Sequence, residues 1–166
     1  MATKTATILL SGGPMRFEAT LGSGHHLVLD DSEGDTGVRP AELVPLALAA
    51  CTAMDVISIL RKKRQTVTRY AVEAEGEQME EHPHAFTRIV VTHVVEGPEI
   101  DVPAVRRSIE LSATKYCSVG STISSGVTVV HHRYRVVDST GREESDEVLV
   151  TGPNEPPAVL AARATG

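Results

Sequence analysis

The chain is poor in aromatic rings. Its 166 residues include three Tyr, two Phe and no Trp, an aromatic share of 3%. Holding single-stranded nucleic acid by stacking needs several exposed rings, so that mode is excluded. A surplus of cations is lacking too: 16 Lys and Arg against 22 Asp and Glu leave a net charge of −6, the wrong sign for tracking a phosphate backbone. Cysteine is scarce. Cys51 and Cys117 are too few for the disulfide framework of a small secreted domain. The N-terminal MATKTATILLSGG has one Lys and too short an apolar run for an export signal, so a cytoplasmic location is expected. The longest apolar stretch, 43–60, is broken by Pro45, Asp55 and several hydroxyl residues. It reads as a core helix, and no membrane partner is expected. Internal repeats and low-complexity tracts are absent as well.

What remains is an ordinary apolar fraction, 41%, in a length that suits one domain with one sizeable core. Alternating patterns predict strands over 5–10, 16–20 and 25–30, separated by Ser11-Gly12-Gly13-Pro14 and Gly22-Ser23-Gly24. The Gly-rich and acidic 31–38 is a loop. A nearly continuous apolar helix follows over 40–64, predicted to be buried on most sides. Pro40 suits its first position, and Arg61-Lys62-Lys63-Arg64 suits its C-terminal dipole. Pro45 would remove an interior hydrogen bond, so the helix begins there or bends there. Strands are predicted over 69–76, 86–96 and 127–137, the second rich in β-branched residues, with a helix over 102–116 that Asp101 caps. The order is βββ-α-ββ-α-β, an α+β plan. The composition changes after residue 137. Residues 1–137 read as the domain and 138–166 as an acidic, Pro-containing arm with at most one added strand, over 147–151.

Both cysteines lie on predicted helices, Cys51 within Ala49-Ala50-Cys51-Thr52-Ala53 and Cys117 at the end of Lys115-Tyr116-Cys117. Each alone reads as a small buried hydrophobe. As a pair they have a second reading. Reduction of a peroxide needs a thiolate, access for the peroxide, and a second sulfur to turn the sulfenic acid into a disulfide. Two helices packed side by side would supply this if the Cα atoms came within about 7 Å.

The runs Arg39-Pro40-Ala41-Glu42-Leu43 and Leu48-Ala49-Ala50-Cys51-Thr52-Ala53-Met54-Asp55-Val56 resemble the first cysteine helix of the OsmC/Ohr family. Ile109-Glu110-Leu111-Ser112 and Lys115-Tyr116-Cys117-Ser118-Val119 are similar to its second cysteine motif. Gly24-His25-His26 and residues 83–87 fit as well, and the resemblance, to the OsmC-like branch typified by YhfA, covers residues 5–137. It implies an intertwined homodimer with antiparallel sheets wrapped around two central helices and two active sites at the dimer interface. It also implies a thiol peroxidase acting on organic hydroperoxides: Cys51 peroxidatic, Cys117 resolving, no bound cofactor, and an external dithiol such as a lipoyl protein as reductant.

The activating residues depart from the family pattern, which has a Glu directly after the Pro of the helix start. Here Ala41 follows Pro40, and the carboxylate comes one place later, at Glu42. Nine residues of ideal helix turn through about 900°, so Glu42 faces away from Cys51 unless the helix starts late or bends at Pro45. The family's Arg, from an early Gly-rich loop, matches Arg16, with Arg39 as the alternative; a nearby cation would lower the thiol pKa. Asp55 lies one turn beyond Cys51 on the same face. Unpaired, its carboxylate would oppose a thiolate, so it is either paired, with an Arg or at a dimer interface, or the site is not a peroxidase.

Seven histidines include His25-His26, His131-His132 and His82-Pro83-His84. None has HExxH or zinc-finger spacing, and adjacent strand residues point to opposite faces, so no metal site is expected. The other function class compatible with these residues is a non-catalytic dimer of the same fold, structural or binding a small molecule, with unreactive cysteines.

Overall fold

The computed structural model describes residues 3–153. The chain divides into two compact units, Met1–Val44 and Pro45–Gly166. In the first, β1 (Ala6–Leu10), β2 (Phe17–Leu21) and β3 (His26–Leu29) form an antiparallel meander in the order β1-β2-β3. The turn between β1 and β2 uses Gly12 at φ 76, a left-handed conformation that glycine adopts without steric cost. Asp30 closes the following loop, accepting from the Thr36 hydroxyl at 2.5 Å and from the Asp31 and Thr36 amides.

The long helix begins with a single 3-10 turn, Pro40–Glu42, and becomes α-helical as α1 (Leu43–Lys62). Pro45 therefore falls in the first turn of α1, where its missing N–H would have no intrahelical partner anyway. The helix is long and apolar enough to cross a membrane. It is not buried on most sides, as its composition suggested: Leu48, Ala49, Thr52, Val56 and Leu60 are buried, while Leu46 and Met54 are 57% and 71% exposed. A nearly continuous apolar run carries no stripe, and one sheet can cover only one side of a helix.

The second unit holds a four-stranded sheet, β4 (Arg69–Gln78), β5 (Phe86–Glu96), β6 (Val129–Val137) and β7 (Glu143–Thr151), in that order. β4–β5 and β6–β7 are antiparallel, but β5–β6 is parallel. The sheet is thus mixed rather than antiparallel, because the connection between β5 and β6 runs through helices and carries the chain back to the end where β5 began. That crossover is longer than expected: α2 (Val102–Leu111), a π-helical turn over Ser112–Tyr116, then α3 (Ser118–Ser124). Asp101 stands at the N-cap of α2, though its side chain makes no capping bond. Val56 and Leu60 of α1 and Val105 and Ile109 of α2 pack with Val95, Tyr134 and Val136 of the sheet. β7 extends the sheet beyond residue 137; the rest of the C-terminal arm, 154–166, lies outside the described residues.

Candidate active site

Cys51 lies on α1, half-buried, and Cys117 is buried, 3% exposed; both are free thiols. The π-helical turn explains the placement of Cys117. Its amide donates to the carbonyl of Ser112, five residues back, at 2.9 Å, which ends α2 and frees Cys117 to start α3. Cys117 is the N-cap of α3, with the Gly120 amide donating to its Sγ at 3.2 Å. Single π-helical turns are found frequently at functional sites.

The two Sγ atoms and a carboxylate oxygen of Asp55 all lie within 4.8 Å of one another. Burial pushes the Cys117 thiol up to about 12, and a hydrogen bond to Cys51 adds to this; the Gly120 amide opposes it, while negative charge at Cys51 and Asp55 reinforces it. Cys117 thus keeps its proton, donating towards Cys51. Two thiols and a carboxylate are donors for a soft cation, but a metal would have to displace a proton that burial and Cys51 both hold on Cys117. A redox pair fits these residues better.

Asp55 is paired, and with a hydroxyl rather than an arginine. Ser112 Oγ donates to its Oδ2 at 2.9 Å. Ser112 also meets Thr52 Oγ1 at 2.9 Å, and Thr52 Oγ1 lies 3.5 Å from His93 Nε2. His93 Nδ1 in turn meets the Tyr70 hydroxyl at 2.7 Å. Thr52, His93 and Ser112 are fully buried, where an unsatisfied polar group costs about 1–3 kcal/mol. Sheet register brings the last two partners together: Val72 lies opposite His93 and Val95 opposite Tyr70, so the rings share a face as diagonal neighbours. Burial, then the neighbouring His132, lowers His93 to about 3, and burial, then the charge of Asp55, raises Tyr70. His93 is neutral at physiological pH.

Sequence reasoning passed over Thr52, Ser112, His93 and Tyr70. The available signal was a lone histidine in the β-branched run FTRIVVTHVVE and two hydroxyls inside apolar helical segments. On the outer side of Asp55, a groove of about 320 Å³ is lined by Asp55, Ser58, Ile59, Lys62, Leu111 and Tyr116.

Arg16, Arg39 and Glu42 belong to the N-terminal unit and have partners there. Arg16 Nη1 donates to the Ser11 carbonyl and hydroxyl at 3.0 Å and to Glu18 Oε1 at 2.9 Å. Arg39 pairs with Asp35 at 2.6 Å. Glu42 accepts the Arg39 amide at 2.9 Å, capping the helix start.

Comparison with known proteins agrees with this architecture. The chain is 39% identical to protein YhfA of Escherichia coli (strain K12) over 123 residues, 74% of this chain and 91% of that protein. An OsmC-like protein of Mycoplasma pneumoniae superposes with a TM-score of 0.70 at 13% identity, over 81% of this chain and 97% of its own. The organic hydroperoxide resistance protein OhrB of Bacillus subtilis superposes with a TM-score of 0.55 at 19% identity, over 80% and 98%. At these identities the two structures speak to the fold alone. The family described as OsmC-like protein matches residues 32–132, the span that holds α1, both cysteines and the crossover helices, and the chain belongs to that family.

Proposed function

We propose that this chain is a cytoplasmic thiol peroxidase that reduces organic hydroperoxides through Cys51 and Cys117. The observation that carries the reading is the convergence of both sulfurs and Asp55 within 4.8 Å, with the proton held on Cys117. The Cys51 thiolate attacks the peroxide: an S–O bond forms, the O–O bond breaks, and the alkoxide leaves to become an alcohol. Cys117 then forms the S–S bond to Cys51, and the sulfenic oxygen leaves as water. The reaction needs no bound cofactor; an external dithiol, such as that of a lipoyl protein, returns the disulfide to two thiols. The resemblance to the family assigns thiolate stabilisation to Arg16, or to Arg39 in its place, and names Glu42 as a further catalytic residue. The active form is a homodimer, which covers the exposed apolar side chains Ile8, Leu9 and Leu10 of β1 and Leu46 and Met54 of α1.

One equivalent of cumene hydroperoxide, followed by intact mass and a free-thiol count, tests this. The wild type is expected to lose both thiols and two hydrogens, Cys117→Ser to hold a dimedone-trappable sulfenic acid, and Cys51→Ser to leave the peroxide unreduced. Untouched thiols in the wild type would favour the other class, a binding or structural dimer. The engagement of Arg16, Arg39 and Glu42 within their own unit is the observation on its side.

A further inference from the structure

The buried polar groups beside the thiols can be hydrogen-bonded in only one direction. An ionised Asp55 has no proton to give, so Ser112 must donate to it. Ser112 has then used its hydrogen and must accept from Thr52, which must in turn accept from His93 Nε2–H. That fixes the tautomer: Nδ1 is bare and accepts from the Tyr70 hydroxyl. The four contacts measure 2.9, 2.9, 3.5 and 2.7 Å and run from β4 through β5 to α1 and the π-turn, every donor pointing towards Asp55. Such a one-way chain stabilises negative charge at its end and holds the carboxylate in one orientation.

Cys117 needs a base at that place. It is almost completely buried, burial keeps its proton on, and among the described residues its one backbone donor is the Gly120 amide. As the second sulfur of a disulfide it must nevertheless lose that proton. His93 cannot take it, because its two nitrogens are engaged by Thr52 and Tyr70 and it is a weak base in this environment. Asp55 is the carboxylate of the cluster, and it faces the groove.

We propose that Asp55, held by the Tyr70–His93–Thr52–Ser112 chain, is the proton acceptor for Cys117 during disulfide closure. The inference rests on the peroxidase reading above. In the step, the Cys117 proton passes to Asp55 as its sulfur attacks the Cys51 sulfur. The S–S bond forms, the S–OH bond of the sulfenic acid breaks, and the departing hydroxide takes the proton from Asp55 as water. Asp55 is unchanged at the end. Ser112, Thr52, His93 and Tyr70 touch no reacting atom and act as positioning residues. The carboxylate that would oppose a thiolate at Cys51 thereby has a use one step later.

Single-turnover oxidation by cumene hydroperoxide separates the two steps, sulfenic acid trapped by dimedone and disulfide read by intact mass. In Asp55→Asn the rate of closure relative to sulfenate formation is expected to fall about a hundredfold or more, the range for loss of a general base. Its closure should also rise about tenfold per pH unit between pH 6 and 8, following the thiolate fraction of Cys117, while wild-type closure rises far less. Thr52→Val should slow closure in protein that is still folded, and Thr52→Ser should restore it. Should Asp55→Asn not fold, Ser112→Ala, which removes the donor to the carboxylate, gives the same ratio test. Wild-type closure rates and pH dependence in Asp55→Asn, with sulfenate formed, would overturn the role of Asp55 alone. A wild type that forms no sulfenate would instead remove the peroxidase reading beneath it.

Discussion

At the scale of single residues, burial separates two thiols that look alike in the sequence. Cys117 is raised from 9.0 to about 12, with burial as the largest cause, whereas Cys51 sits half-buried on α1. Burial acts on Cys117 whether or not Cys51 is present. In Cys51→Ser, native Cys117 is therefore expected to react with iodoacetamide at pH 8 at least about a hundredfold more slowly than in urea, since three units of pKa remove about a thousandfold of thiolate. Equal rates in the two conditions would mean that Cys117 is open to solvent. Both cysteines were legible in the sequence because each sits in a family motif. The four residues behind Asp55 were not, since a Thr, a Ser, a His and a Tyr scattered from 52 to 112 share no local pattern.

At the scale of elements, most strands and α2 follow their periodicities and α1 follows its apolar run, while the departures have local causes. α3 escapes notice because Ser-Val-Gly-Ser-Thr-Ile-Ser is a poor helix former in isolation; it exists because the π-turn delivers Cys117 as its cap. β7 extends into Glu143-Glu144-Ser145-Asp146-Glu147, charges common on an edge strand but rarely read as one. Gly97, between β5 and α2, shows how tightly the crossover starts. A methyl group there would overlap the Thr66 carbonyl oxygen and stand 2.8 Å from Ile100 Cδ1. Gly97→Ala is expected to lower stability by about 1–3 kcal/mol, read from the urea midpoint. An unchanged midpoint would show that the turn yields freely.

For the whole molecule, acid sensitivity should trace to one buried group. His93 is held near 3 in the fold against 6.5 outside it. Below pH 6.5 the unfolded chain binds a proton there that the folded chain refuses, so the stability His93 confers is complete above pH 6.5 and is lost as pH falls towards 3. The slope is at most about 1.4 kcal/mol per pH unit. Urea midpoints at pH 7 and pH 5 should therefore differ more for the wild type than for His93→Gln. An equal difference in the two proteins would mean that His93 takes its proton within the fold.

What the sequence determined by itself was the α+β class, the order of most elements, the family, and the two cysteines on separate helical segments. These rest on period, composition and short motifs, which act between neighbours in the chain. Only the tertiary structure decided that both sulfurs meet Asp55, that the β5–β6 pair is parallel, that one side of α1 stays exposed, and that Tyr70 and His93 stand behind the site. Each of these depends on which distant segments pack together, and a side chain's burial and hydrogen-bond direction are settled only by that packing.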